Sequence, residues 1–232
     1  MGLFDFLKRP PGAAEVLHAL VYADVPLERW PAILGSPHVL PADAPLRRLQ
    51  DAAAAEAAGD RDGARTRLRA AADDPAAESR VRLLAWRGLR DLGDKPPADA
   101  ARVPRGVVCE VALPHGLDVL GCYEDRTARL HGAAGNMVIW DARDPDIDAR
   151  IDAVLAQAPA LVGSIRAHGD LGLIVPRGTV ALTALTDAGR HTRPEPLSAL
   201  SGGRSKYSPL FAAATQLFVA LVERAGRSAG GG

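Results

Sequence analysis

The chain has 232 residues, and its 28 Lys and Arg side chains balance 28 Asp and Glu side chains, so the net charge at pH 7 is zero. Proteins that bind a phosphate backbone usually carry a basic excess, so we expect no nucleic-acid partner. No apolar run reaches the length of about 18 residues needed to span a bilayer, and no transmembrane segment is expected. The abundance of Ala, Arg and Gly is typical of a GC-rich bacterial genome. Two cysteines and no recognisable secretory signal indicate a reducing, cytoplasmic location.

Residues 1–12 form an N-terminal segment whose apolar cluster is too short for the core of a secretory signal. The cluster consists of Leu3, Phe4, Phe6 and Leu7. We expect a short amphipathic turn that docks on the protein itself. The alternative is a weak contact with a membrane surface or with a partner protein through the same apolar side chains.

Helical periodicity dominates residues 13–93 and predicts a helical domain. A first helix begins near Ala13 and breaks at Asp24–Pro26, ahead of a short helix that carries Trp30. Three more helices follow, with an end at Gly59 for the first, residues 61–73 for the second and residues 77–92 for the third. Residues 94–105 have the proline and polar content of a linker, so we expect a domain boundary there.

Small and large apolar residues recur at set positions between residues 45 and 93. The pattern consists of Gly59, Ala64, Leu68, Ala71 and Asp74-Pro75, followed by Leu84 and Ala85. This pattern resembles a tetratricopeptide-type helical hairpin, with the proline one residue early. The resemblance implies a surface that binds a protein or peptide. An ordinary Ala-rich helical bundle explains the same spacing, and both interpretations remain open at this point.

The third helix of this segment carries the candidate protein-binding residues Trp86, Arg87 and Arg90. Acidic residues are interleaved with the arginines, so the alternative is a solvated face of mixed charge. A tryptophan at helical spacing also fits a core position. These three residues are the first choice for a contact surface if the protein is an adaptor.

Both cysteines fall in two β-rich runs that are separated by Pro114, His115 and Gly116. A turn centred between His115 and Gly116 would place Cys109 directly opposite Cys122, on the more apolar face of the hairpin. We expect two buried thiols that pack as small apolar groups. The alternatives are a cross-strand disulfide, or catalysis by one cysteine with His131 or His115 as its base.

Residues 106–224 predict four strands, a helix, two more strands and a last helix. Asp144 and Pro145 are expected to start the first of these helices, which continues through residue 165. Alternating strands and two apolar helical stripes indicate an α+β fold: a helical part followed by an antiparallel sheet that two helices cover as a two-layer sandwich. Residues 225–232 are small and polar and are expected to be disordered.

Three functional hypotheses follow from the residues. The first is a non-enzymatic adaptor that binds a protein partner or a second copy of itself. The second is a sensor that holds a small molecule between the sheet and its helices, with polar and aromatic contacts from Tyr123, His131, Trp140 and His191. The third is the Cys/His-dependent enzyme. Ligand spacings typical of a metal site do not occur, so neither a metal nor a cofactor is expected.

Overall fold

The computed structural model describes residues 21–30, 45–133, 135–167 and 175–229. The chain divides into two compact units, residues 1–101 and 102–232. This division falls within the segment 94–105 that the sequence analysis interprets as a linker. The N-terminal segment 1–12 and most of the first predicted helix lie outside the described residues.

The described part of the first unit contains a 3₁₀ turn and three α-helices. The turn spans Leu27–Arg29, and the helices are α1 (Pro45–Ala57), α2 (Arg61–Ala72) and α3 (Ser79–Asp91). Gly59 has a φ of +82°, a left-handed conformation that ends α1. The Asp60 carboxylate then accepts a hydrogen bond from the Gly63 N–H at 2.9 Å and caps α2. Each helix contacts the other two around a buried apolar core.

The second unit is built on one six-stranded antiparallel sheet, which a 3₁₀ turn at Ala100–Arg102 precedes. Its strands are β1 (Pro104–Leu113), β2 (Gly116–Tyr123), β3 (Ala128–His131), β4 (Met137–Trp140), β5 (Thr179–Thr186) and β6 (Gly189–Pro196), in the order β4-β3-β2-β1-β5-β6. The first four strands therefore form a meander, and β5 returns to pair with β1. Together with the helices, this antiparallel sheet confirms the predicted α+β fold.

The described part of the second unit contains four helices: α4 (Pro145–Leu155), α5 (Pro159–Ser164), α6 (Leu197–Ser201) and α7 (Ser208–Ala229). Asp144 caps α4 as predicted, because its Oδ1 accepts hydrogen bonds from the Asp146 and Ile147 N–H groups. The predicted single helix through residue 165 is wrong, since the chain leaves the helix after Leu155. Pro159 has no N–H and its ring would clash with the carbonyl of Leu155 inside a continuous helix, which accounts for the break.

The two faces of the sheet carry different sets of side chains. One face holds Val107, Cys109, Leu120, Cys122 and Leu182, which pack in one core with apolar residues of α4, α5 and α7. The opposite face is also buried at its centre, at Val108, Val119, Ala181, Thr183 and Leu185. The sequence predicts helices over one face of the sheet and does not predict burial of the opposite face. Central strands that are buried on both faces have nearly continuous apolar sequences, and β5 (TVALTALT) has such a sequence.

The register of the β1–β2 hairpin differs from the predicted one. Cys109 pairs with Leu120 and Cys122 pairs with Val107, so the predicted pairing of the two cysteines is wrong by two residues. The two-residue loop is Pro114-His115, and Gly116 follows it with a φ of +151°. A shift of two residues preserves the alternation of side chains, so both thiols still face the core. Both cysteines are free and buried, which confirms the expectation of buried thiols.

The C-terminal helix is longer than expected. α7 extends to Ala229, five residues beyond residue 224, where the predicted ordered domain ends. Ala225, Arg227 and Ala229 are residue types with high helix propensity, which explains the extension. Within the ranges that the structure describes, no helix combines the length and the apolar character that a membrane crossing requires.

Candidate functional site

An apolar cleft opens between the sheet and α7 in the second unit, and we call it the sheet–helix cleft. Its volume is about 350 Å³. The sheet contributes Cys109, Val111, Leu113, Asp118 and Leu120, and the helical wall consists of Leu197, Phe211, Ala214, Thr215, Phe218 and Val219. The cleft is therefore lined almost entirely by apolar side chains.

The sheet wall follows from strand alternation. Cys109, Val111 and Leu113 are two residues apart on β1, so their side chains point to the same face. The register places Leu120 beside Cys109 and Asp118 beside Val111. An acidic residue thus lies beside an apolar one on the sheet wall of the cleft.

The helical wall follows from a broad apolar stripe on α7. Leu210, Leu217 and Leu221 are buried in the core, with at most 1% of their surface exposed. Phe211 and Phe218 each directly follow a buried leucine, are seven residues or about two turns apart, and line the cleft beside this stripe. Val219 also lines the cleft yet is 49% exposed, so the cleft opens to solvent along this edge of α7.

Two polar side chains line the cleft among the described residues. The Thr215 hydroxyl donates to the Phe211 carbonyl at 2.9 Å within the helix. The Asp118 carboxylate accepts a hydrogen bond from the Ala133 N–H through Oδ1 at 2.8 Å. This bond orients the carboxylate, because Ala133 follows β3 and its backbone position is set by the sheet. Asp118 is the one charged group in the described lining.

Cys109, the cysteine that lines the cleft, is a poor nucleophile at neutral pH. Burial, reinforced by the negative charge of Glu110 and by Cys122, raises the pKa of Cys109 to about 12. Burial likewise raises the pKa of Cys122 to about 12. Both side chains are therefore neutral thiols at neutral pH, whereas a nucleophilic cysteine works as the thiolate.

The histidines proposed as bases for these cysteines are placed elsewhere. His131 pairs with Val119, and both lie on the face of the sheet opposite to the cysteine face. His115 is exposed in the loop between β1 and β2. The structure therefore brings neither histidine onto the cysteine face of the sheet.

The four residues proposed as ligand contacts are not brought together. Tyr123 and His131 lie on one face of the sheet, and Trp140 and His191 lie on the other. Trp140 and His191 belong to one row of cross-strand neighbours that begins on β4 and ends on β6. Five strand spacings of about 4.8 Å separate them, or about 24 Å, which exceeds the reach of one small ligand.

Both ring nitrogens of His191 form hydrogen bonds within the second unit. Its Nδ1 donates to the Ile165 carbonyl at 2.7 Å, and its Nε2 lies 3.3 Å from the Thr186 hydroxyl. Burial, which outweighs the hydrogen bond to Ile165, lowers the pKa of His191. The ring is therefore neutral at neutral pH and joins β6 to the residue that follows α5.

The three proposed protein-binding residues are engaged within the first unit. Trp86 is 4% exposed, and the Arg69 guanidinium lies over its ring at 4.7 Å from the ring centroid. Arg87 contacts the buried carboxylate of Asp24 at 2.8 Å. Arg90 approaches the same carboxylate at 3.7 Å. The two arginines therefore connect α3 to Asp24, in the segment that precedes the 3₁₀ turn.

Most of the cleft residues were absent from the sequence-based candidates. Among the cleft residues, Cys109 is a sequence-based candidate, as a nucleophile, whereas Asp118, Phe211 and Phe218 are not. One signal was present on α7, where apolar residues at positions 211, 218, 219 and 222 widen the stripe beyond the buried leucines. The sequence does not show which part of that stripe the sheet covers.

In the described part of the chain, no group of three or more His, Cys, Asp or Glu side chains is arranged to hold a metal ion. The apolar lining of the sheet–helix cleft suits burial of hydrocarbon, and its one carboxylate suits a hydrogen-bond donor.

Comparisons with known proteins identify no relative: no family model, no curated protein and no solved structure matches the chain.

Proposed function

We propose that this protein is a non-enzymatic binding protein whose α+β unit takes a small apolar molecule in the sheet–helix cleft. The cleft itself is the observation that carries the proposal. Its volume of about 350 Å³ falls in the range of about 300–1,000 Å³ that is typical of ligand sites. Its composition, apolar walls with few polar groups, is also that of such sites.

The dimensions of the cleft favour a small molecule over a peptide helix. One turn of an α-helix with its side chains is a cylinder about 10–12 Å wide and 5.4 Å long, or about 420–610 Å³. The cleft is smaller than this single turn. An engineered cavity of about 150 Å³ holds benzene, which has six carbon atoms, so by proportion this cleft suits a body of about 14 non-hydrogen atoms.

The chemistry of the lining supports binding without catalysis. Cys109 is a neutral thiol with a pKa of about 12. Asp118 and Cys109 lie beside different partners on the sheet, Val111 and Leu120 respectively. A nucleophile that is hydrogen-bonded to a base is the usual signature of covalent catalysis, and no hydrogen bond joins these two described residues.

Native mass spectrometry of the full chain purified from its own host tests the proposal. We expect an additional mass of a few hundred daltons or less on the wild-type protein. Thr215→Trp should abolish it, because Thr215 is an exposed residue that lines the cleft and the larger ring would fill the space. Gln216→Trp is the matched control, since Gln216 is the exposed neighbour on the same helix. Equal retention of the adduct by both variants would contradict the proposal.

A second candidate is the adaptor function, in which the helical unit binds a protein or the chain binds a second copy of itself. The observation in its favour is the spacing of the helices: α1 begins at Pro45 and α3 begins at Ser79, 34 residues later, which is the length of a tetratricopeptide repeat. In the same mass spectrum, a partner would give a discrete protein-sized addition that Thr215→Trp retains. Loss of that addition with Thr215→Trp would argue against a partner site on the helical unit.

Both candidates retain the cytoplasmic location proposed from the sequence. The two cysteines support this location, because both are free thiols on the same face of the sheet. Reducing compartments keep such thiols unpaired. Fractionation of the host cells, followed by immunodetection of the untagged chain, tests the location directly.

A further inference from the structure

Asp118 places one charged group in the mostly apolar lining of the sheet–helix cleft. Apart from Thr215 and the neutral thiol of Cys109, the other described side chains that line the cleft are apolar. The backbone N–H of Ala133 donates a hydrogen bond to Oδ1 of Asp118. No described residue forms an ion pair with Asp118, and no Lys or Arg is among the described residues that line the cleft.

We propose that the cleft selects ligands with a cationic nitrogen attached to an apolar body, such as an alkylammonium or arylammonium compound, with the nitrogen placed beside Asp118. This inference rests on the proposed function and specifies its ligand class. The apolar body occupies the space between Leu120 and Phe218, and the ammonium group meets the carboxylate.

Hydrogen-bonding capacity is the first reason for this selection. An ionised carboxylate accepts hydrogen bonds and donates none, whereas an ammonium group donates up to three and accepts none. A ligand carboxylate or phosphate would bring a second negative charge to Asp118. A neutral hydroxyl can donate one hydrogen bond to Asp118 but carries no compensating charge.

The surroundings of the carboxylate are the second reason. Charges attract more strongly next to apolar walls than in bulk water, because the effective dielectric constant is lower there. Most of the other residues that line the cleft are apolar, and Val111 lies beside Asp118 on the sheet. A buried hydrogen bond to a charged group typically strengthens binding by one to two powers of ten, so we expect about a tenfold preference for the cation at this half-buried position.

Three probes of equal chain length test the inference: n-hexylammonium, n-hexanol and n-hexanoate at pH 7. Each is titrated into the full, isotope-labelled chain and followed by nuclear magnetic resonance at the amides of β1, β2 and α7. We expect n-hexylammonium to bind about tenfold more tightly than n-hexanol, and n-hexanoate to bind most weakly. Thr215→Trp should abolish binding of all three probes, and Gln216→Trp should leave it unchanged.

Asp118→Asn tests whether the negative charge of Asp118 causes the preference for n-hexylammonium. An asparagine keeps an oxygen that can accept the Ala133 N–H, so the local structure is retained while the negative charge is removed. The preference for n-hexylammonium over n-hexanol should then disappear, and the affinity for n-hexanol should stay within about twofold. A preference that survives in Asp118→Asn would place the cation elsewhere and overturn the inference.

The outcomes separate this inference from the proposed function. If n-hexanol binds as well as n-hexylammonium and Thr215→Trp blocks both, the cleft binds apolar molecules and only the selection for cations is wrong. If none of the three probes shifts the amides of β1, β2 and α7 in the wild-type chain, the proposed function fails together with the inference.

Discussion

Cys109 on β1 lies directly opposite Leu120 on β2, and both side chains form part of the sheet wall of the cleft. Cys122 lies two residues further along β2 on the same face, where it packs opposite Val107 and is 1% exposed. The pKa of each thiol is raised to about 12, primarily by burial. The two thiols thus have similar chemistry, but only Cys109 lines the sheet–helix cleft.

We expect both thiols to react slowly with iodoacetamide. At pH 8, a thiol with a pKa near 12 contains about a thousandfold less thiolate than one with a pKa near 9. Alkylation of the folded chain, followed by mass spectrometry, should therefore be slower than that of the unfolded chain in urea by at least this factor. Rapid modification of either cysteine in the folded protein would contradict the burial of the thiols.

A ligand in the cleft should protect Cys109 more than Cys122. Single-cysteine variants, Cys122→Ala and Cys109→Ala, allow each rate of alkylation to be measured separately. Saturating n-hexylammonium should slow the reaction of Cys109 at least threefold further than that of Cys122. Equal slowing of both would indicate a general effect on opening of the domain and not occupation of the cleft.

Arg87→Ala should strongly destabilise the first unit. Its guanidinium pairs with Asp24, and the two side chains are only 13% and 4% exposed. Removal of one partner leaves a buried carboxylate with weakened compensation, which typically costs about 3 kcal/mol in the free energy of unfolding. Urea denaturation measures this change. Arg61→Ala is the control, because Arg61 is 56% exposed and lies 3.8 Å from Glu56; its effect should be below about 0.5 kcal/mol.

Gly116→Ala should destabilise the second unit by about 1–3 kcal/mol, because Gly116 has a φ of +151° and an added Cβ would lie 2.8 Å from the Ala133 Cβ. Gly163→Ala in α5 is the matched control, since its Cβ would meet nothing within 4 Å. That substitution should leave stability unchanged or raise it by about 0.5–1 kcal/mol, through higher helix propensity. Thermal unfolding of both variants provides the comparison, and an equal loss in both would contradict the close approach at Ala133.

His191 should make the second unit less stable in mild acid. Its pKa is lowered in the folded state, primarily by burial, so the unfolded chain binds the proton more readily. The stabilising contribution is therefore present above pH 6.5, the ordinary histidine value, and decreases as the pH falls through the lowered pKa. His191→Gln should reduce the slope of stability against pH below 6.5, whereas His115→Gln, at the exposed turn, should not. Parallel slopes for wild type and His191→Gln would show that this histidine is not the cause.

Local patterns in the sequence determined most of the secondary structure and the fold class. Asp144 and Pro145 begin α4 as expected, because capping depends on a few neighbouring residues. Strand alternation placed both cysteines on the core face, and this result does not depend on the register, since a shift of two residues preserves the face. The α+β fold and the antiparallel sheet follow from these local signals together with the periodicity of the helices.

The tertiary structure alone decided the register and the candidate site. The β1–β2 register depends on where the turn closes, and Gly116 fits closely against Ala133, 17 residues further along the chain. The sheet–helix cleft combines Asp118 with Phe218, which lie 100 residues apart in the sequence. An apolar stripe shows that a helix face will be covered, but how far the sheet covers it depends on the packing of distant elements, which leaves the cleft open beside Val219.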